Sequence, residues 1–258
     1  DTSTTEIYTR IACRQRQMCI RDRGNIYSAE VVDRFARLGN QAAPDFRIMW
    51  DNAYAVHDHH PHAPELTNLM ELCRLQGTED SVFMMGSSSK VTLAGAGISF
   101  LGGSKSNLDY FLEQMACWTI GPDKVNQLRH VRLLPDLAAT KKHMLRHAEI
   151  TRPKFELVLD KLEESFSGLE MGTWIRPEGG YFVSFDSLPG HAKEIVRLAG
   201  EAGVKLTPAG STFPYGVDPE DKNIRLSPTF PPLADLSAAM EVFVNCVQLS
   251  TLRQQLNQ

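Results

Sequence analysis

Phe46-Arg47-Ile48-Met49-Trp50-Asp51-Asn52-Ala53-Tyr54 and, further on, Ser81-Val82-Phe83-Met84-Met85-Gly86-Ser87-Ser88-Ser89-Lys90 follow one pattern. Each is an apolar run of strand length that closes on polar, chemically capable residues. Between them, Pro64 through Gln76 carries Leu66, Leu69, Met70 and Cys73 at helical spacing. Upstream, Ser28 reads as an N-cap, with Val31, Val32, Phe35 and Leu38 on one helical face. Apolar strands alternating with amphipathic helices predict an α/β fold with a mostly parallel sheet.

After Gly121-Pro122 the pattern changes. Helical periodicity runs over 134–167, with an interruption expected near Pro153. Strands are predicted at Thr173–Arg176 and Tyr181–Phe185, then a helix from Pro189 to Ala202. Short strands follow at Val204–Leu206 and Asn223–Ser227, and a last helix starts near Pro232. This is an α+β unit, and the boundary is placed in the long helix, dividing 24–145 from 146–258.

Composition narrows the function classes. The chain has 258 residues, 42% hydrophobic and 22% charged, enough to bury a core. Lys plus Arg is 27 against 31 Asp plus Glu, and the net charge of -4 argues against nucleic-acid binding. No apolar run is long enough to cross a membrane. The five cysteines are widely spaced and contain no C-x-x-C, which predicts neither a disulfide framework nor a cysteine zinc site and fits a reducing cytoplasm. Residues 1–23 stand apart: five arginines against three acids make them +2, and the remainder -6. With no apolar h-region they are no secretory signal. They resemble the peptide that translated sequencing-adapter DNA yields, and are expected to be non-native or disordered.

Several residues could carry chemistry. Asp51 closes a buried strand, where α/β sheets bind ligands; such an acid can pair with a cationic ring, and Tyr54 can donate to an adjacent oxygen. The plainer possibility is a helix-capping Asp with a packing Tyr. Lys90 follows Ser87-Ser88-Ser89 in a turn. A lysine there can form a Schiff base, and hydroxyls with turn amides suit a phosphate; a solvated surface loop is the alternative. Ser87-x-x-Lys90 lacks the Ser-Asp-Asn and Lys-Thr-Gly tripeptides of penicillin-recognising enzymes, and Gly86-x-Ser88-x-Lys90 fails the nucleophile elbow. Gly95-Ala96-Gly97 is no dinucleotide fingerprint; its glycines are expected to allow close backbone packing beside the Lys90 turn. His57, His59, His60 and His62 lie among prolines, so a solvated loop is expected rather than a metal site. Arg225, in Asn223-Ile224-Arg225-Leu226, is costly at an inward strand position unless it meets an anion, a carboxylate or a structural ion-pair partner. Gly179-Gly180-Tyr181-Phe182 marks a sharp turn, in a hairpin or beside a substrate.

Taken together, these residues resemble the fold-type I pyridoxal-phosphate enzymes of the class I/II aminotransferase branch. The order Asp51-x-x-Tyr54, Ser87-x-Ser89-Lys90, Asn223-x-Arg225 matches that family. The wording is closest to a bacterial subgroup of aspartate aminotransferases, on Ala43-Pro44-Asp45-Phe46-Arg47, Trp50 to His57, Ser88 to Gly97, Gly121 to Leu128 and Pro177 to Phe182. The resemblance spans Gly24 to nearly the C-terminus.

It implies a fold-type I large domain, of which 24–145 would be the C-terminal part, and a small domain over 146–258. It implies pyridoxal 5'-phosphate as cofactor, an amino acid and a 2-oxo acid as substrates, and a cytoplasmic homodimer. Asp51 would keep the pyridine nitrogen protonated, Tyr54 would hydrogen-bond the ring oxygen, and Lys90 would hold the cofactor covalently and then move the α-proton. Ser87 and Ser89 would face the phosphate, and Arg225 the substrate α-carboxylate. No metal is implied. The phosphate-binding Arg that many relatives carry after the lysine is replaced here by Gly97-Ile98, leaving Lys124, Asn126 and Arg129 as weak substitutes. The family's Asn-Pro-Thr-Gly reads Arg21-Asp22-Arg23-Gly24 here, so the expectation is an N-terminally truncated chain, inactive alone. Another aminotransferase or lyase of this fold, or a non-enzymatic regulator built on it, are the alternatives.

Overall fold

The computed structural model of the chain describes residues 27–256; the expectation that residues 1–23 are irregular lies outside the described residues. The chain divides into two compact units, Ile26–Arg146 and His147–Gln258.

In Ile26–Arg146, helix α1 (Ala29–Leu38) starts at Ser28, whose side chain accepts from the Val31 N–H, and buries Val32 and Ala36. Strand β1 (Ile48–Asp51) pairs in parallel with β2 (Val82–Ser87), from Ile48↔Val82 to Asp51↔Met85. A parallel pair needs a crossover, which helix α2 (Leu69–Gln76) supplies. It begins at Leu69 and not at Pro64, because Asn68 Oδ1 takes the N–H groups of Met70 and Glu71 and so sets the first turn. Ile48, Trp50, Leu69, Met70, Cys73 and Val82 join Val32 and Ala36 in the core. Tyr27 stacks on Trp50 with ring centroids 5.5 Å apart.

Three elements of this unit had no reading in the sequence. Strand β3 (Ser99–Gly103) pairs antiparallel with β2, so the sheet order is β1-β2-β3 with one parallel and one antiparallel pair. Helices α3 (Lys105–Met115) and α4 (Lys124–Leu133) follow, capped by Ser104 and Asp123.

Helix α5 (Leu137–Phe166) runs unbroken through Pro153, where an interruption was expected. One backbone bond is lost there, but Phe155, Val158, Leu162 and Phe166 beyond it are all buried and hold the helix in place. The unit His147–Gln258 contains the antiparallel sheet β4 (Gly172–Trp174), β5 (Val183–Ser187), β6 (Asn223–Leu226). Helix α6 (Ala192–Glu201) and the long α7 (Leu233–Leu256) complete it. Val183, Phe185, Ile224 and Leu226 form one sheet face in the core, against Ile195, Met240, Phe243 and Val247. Val204–Leu206 joins no ladder, contrary to expectation; Val204 and Leu206 are fixed instead by packing on that core. Among the described residues, no helix is long and apolar enough to cross a membrane.

Candidate active site

The parallel register of β1 and β2 brings their carboxyl ends side by side, and the chemically capable residues leave from there. Asp51 is the last residue of β1 and is exposed. No helix follows it: its Oδ1 accepts from the Ala53 N–H at 3.2 Å, and the bonds Ala55 N→Asn52 O and His57 N→Tyr54 O fold residues 52–57 into consecutive turns. Those turns bury Tyr54, only 4% exposed.

Beyond β2, the chain turns through Ser88 and Ser89 to Lys90. Ser88 is buried, and its Oγ accepts from the Ile98 N–H at 2.8 Å. Ser87 Oγ donates to Ser89 Oγ at 2.9 Å and accepts from the Ser89 N–H at 3.1 Å, so the two hydroxyls sit together. Lys90 is exposed, and its Nζ stands 4.7 Å from the centroid of the Tyr54 ring. The turn is closed by Gly97: a Cβ there would lie 2.5 Å from Ser89 Oγ and 2.7 Å from Ser89 Cα, so only glycine fits. Asp51, Tyr54, Ser87, Ser89 and Lys90 are thus gathered at one end of one sheet.

The weak phosphate candidates fare differently. Asn126 Nδ2 is spent on the Ala96 carbonyl at 2.9 Å, while Lys124 and Arg129 are exposed. The histidine run is not a solvated loop throughout: His57 and His59 are buried, and only His60 and His62 are exposed. Among the described residues, no group of three His, Cys, Asp or Glu could hold a metal ion.

Arg225 lies in the other unit. It pairs with Ser184 across β5 and β6, on the sheet face away from the core. Its guanidinium carbon stands 4.4 Å from the Phe182 ring centroid, and its Nε is buried without a hydrogen-bond partner. Among the described residues no carboxylate pairs with it. The neighbouring Asn223 is fully engaged: its Nδ2 donates to Ser184 Oγ at 2.8 Å and to Asp186 Oδ1 at 2.6 Å, and its Oδ1 accepts from Thr212 Oγ1 at 2.8 Å. The approach to β6 is pinned by Asp218, whose carboxylate accepts from the N–H groups of Glu220, Lys222 and Asn223. Burial alone would raise the Asp218 carboxyl, but these three N–H groups more than offset it and leave it below its ordinary value of 3.8. Gly180, between β4 and β5, has φ 86°, which lets the chain turn sharply ahead of Phe182. Sequence reasoning missed Asp218 and Thr212, which carry no motif; only their distance to Asn223 in the fold marks them.

This architecture is that of the fold-type I pyridoxal-phosphate-dependent aminotransferases. An aspartate transaminase structure from Corynebacterium glutamicum superposes with a TM-score of 0.86 at 40% identity, covering 90% of this chain and 55% of that one. An α-aminoadipate aminotransferase from Thermus thermophilus shares the fold at 21% identity and a TM-score of 0.71, over 87% of this chain and 55% of that one.

Residues 20–258 match the family described as Aspartate amino-transferase, and the chain belongs to that family. A Mycolicibacterium smegmatis protein that carries the name aminotransferase is 45% identical over 88% of this chain and 53% of its own length. The aspartate aminotransferase of Corynebacterium glutamicum is 42% identical over 84% of this chain and 50% of its own length. The chain therefore spans about half the length of the curated relatives it matches.

Proposed function

We propose that the protein to which this chain belongs transfers amino groups between an amino acid and a 2-oxo acid with pyridoxal 5'-phosphate, and that aspartate and 2-oxoglutarate are the pair. The observation that carries this reading is the parallel β1–β2 pair delivering Asp51, Tyr54 and Lys90 together, with the Lys90 amine 4.7 Å from the Tyr54 ring centroid. Ile26–Arg146 is read as part of the large, cofactor-binding domain and His147–Gln258 as the small domain. A cytoplasmic homodimer is the setting that goes with this reading.

The donor set suits the cofactor: one carboxylate, one phenol, one primary amine and two adjacent hydroxyls at a turn. When bound, pyridoxal phosphate supplies an electron sink for the pair of electrons left by the departing α-proton. Asp51 would hold a proton on the ring nitrogen by charge pairing. Tyr54 would donate its hydroxyl to the ring oxygen. Ser87 and Ser89 would offer hydroxyls and the Ser89 turn to the phosphate. Lys90 would hold the cofactor through its amine, and the same amine would serve as the base for the substrate α-proton. Arg225 binds the α-carboxylate: a buried guanidinium N–H without a partner demands an acceptor, and a carboxylate meets that demand with paired, charge-assisted bonds.

Borohydride reduction of the intact, cofactor-loaded protein tests the reading. The label is expected on the peptide containing Lys90. A label on any other lysine would overturn the site, and a substrate panel in which aspartate is not preferred would overturn the substrate while leaving the class of reaction intact.

A further inference from the structure

The Ser88–Thr92 turn closes on itself through the N–H groups of Val91 and Thr92, which both reach the Ser88 carbonyl at 2.9 Å, and Ser88 is bonded to Ile98 at both its N–H and its Oγ. Its far side, from Lys90 to Thr92, is met by three imidazoles from three separate elements. His57 Nε2, in the turns after β1, meets the Lys90 carbonyl at 3.3 Å. His143 Nε2, on α5, meets the Val91 carbonyl at 2.8 Å. His130 Nε2, on α4, meets Thr92 Oγ1 at 2.9 Å, while its Nδ1 faces the Asn126 carbonyl at 2.9 Å. Carbonyl oxygens only accept, so His57 and His143 carry their protons on Nε2, and His130 carries one on Nδ1. His57 and His130 are buried, 3% and 8% exposed, and His143 is half-buried.

Consecutive residues of one short turn, Lys90, Val91 and Thr92, are thus tied to the loop after β1 and to two helices. An imidazole is suited to this: a rigid ring with few rotatable bonds holds a carbonyl at a fixed place. Lys90 itself is exposed and its side chain is long, so the position of its amine depends on the backbone from which it starts.

We propose that His57, His130 and His143 are positioning residues for Lys90, which clamp the Ser88–Thr92 turn and so set the place from which the lysine amine acts. This rests on the reading of Lys90 as the cofactor-bearing lysine.

The test compares His143→Asn, too short to reach the Val91 carbonyl, with His143→Gln, whose amide nitrogen reaches about as far as Nε2. The same pair at His57 gives an independent measurement through a different carbonyl, should either position fail to yield folded protein. Two quantities are read in the intact protein: amide hydrogen exchange over residues 88–96 without cofactor, and kcat and KM for transamination with it. The Asn variants are expected to exchange about tenfold faster in that segment, the change expected for losing one such bond. Their kcat should fall severalfold with little change in KM, and the Gln variants should recover both. Asn variants with unchanged exchange or unchanged kcat, or Gln variants no better than Asn, would overturn the positioning role alone if borohydride still labels Lys90. Borohydride labelling of another lysine would overturn the reading of Lys90 and this role with it.

Discussion

In His147–Gln258, Phe155, Phe166, Phe185 and Phe243 are almost wholly out of contact with water, and Phe185 meets Phe243 edge-on at 5.2 Å. In Ile26–Arg146 the burial is one-sided along β1: among the described residues, Ile48 and Trp50 face the core, while Met49, on the opposite face of the same strand, is 56% exposed. The residues proposed for chemistry follow the same division. Arg225 sits on a strand whose alternate residues belong to a closed core. Asp51, Ser89 and Lys90 are exposed and are held by turns, one glycine contact and hydrogen bonds. The lesson is that a site can be positioned in two ways, by burying the strand that bears it or by tying down a turn. Mutations should report the two differently, since burial stabilises the whole unit and a tie stabilises only the turn.

The sharpest contrast comes from Lys90→Ala. Transamination by the intact protein should fall about 10³-fold or more, because both the covalent attachment and the proton transfer are lost. Stability should change by no more than about 1 kcal/mol, since the side chain is exposed. Steady-state kinetics and denaturant unfolding measure the two effects, and a large loss of stability would break the comparison. Phe185→Ala should do the reverse. Removing a fully buried aromatic ring costs about 3–5 kcal/mol, measurable as a lower urea midpoint for the unit. A loss under about 1 kcal/mol would mean that the core is not closed in the way described.

Arg225→Ala comes next. A desolvated, charge-assisted carboxylate contact is worth about 2–3 kcal/mol, so kcat/KM should drop roughly 100-fold. The drop should be similar for every amino-acid substrate. A loss confined to dicarboxylic substrates would move Arg225 from the α-carboxylate to the side-chain pocket. The smallest effect is expected from acid. Asp218 is held below its ordinary 3.8, so the stability it contributes is fully present above that value and drains away as pH falls through the lower folded value. Asp218→Asn should flatten the acid limb of the stability curve of His147–Gln258. An acid limb that stays unchanged in the variant would show that the three N–H bonds do not act on folding.

Strand ends and their residues were legible in the sequence because the signal is local. Apolar runs of strand length ending at Asp51 and near Ser87 announce themselves, and so do the Ser28 cap and the helix after Pro232. The close approach of Gly97 to the Lys90 turn was also readable, since two glycines two residues apart beside a polar turn have few other uses. The misread boundaries have physical causes. Pro64 resembles a helix start, but the Asn68 side chain bonds the N–H groups that make one. Pro153 resembles a helix stop, but burial of the residues after it outweighs one missing hydrogen bond. Val204–Leu206 has a strand's composition and no ladder partner, and partners are not encoded locally.

The sequence by itself determined the alternation of strands and helices and the family resemblance, and it put forward Asp51, Tyr54, Ser87, Ser89, Lys90 and Arg225 as candidates, because each depends on residue type at short spacing. Only the tertiary structure decided what surrounds them. It stood the Lys90 amine beside the Tyr54 ring, left Arg225 Nε buried and without a partner, and brought His57, His130 and His143 from distant positions onto three consecutive residues. A hydrogen bond between residues far apart in the chain leaves no periodic trace in the sequence. It exists because the packing of apolar faces fixes where each backbone runs, and the polar groups then find whatever partners that packing brings within reach.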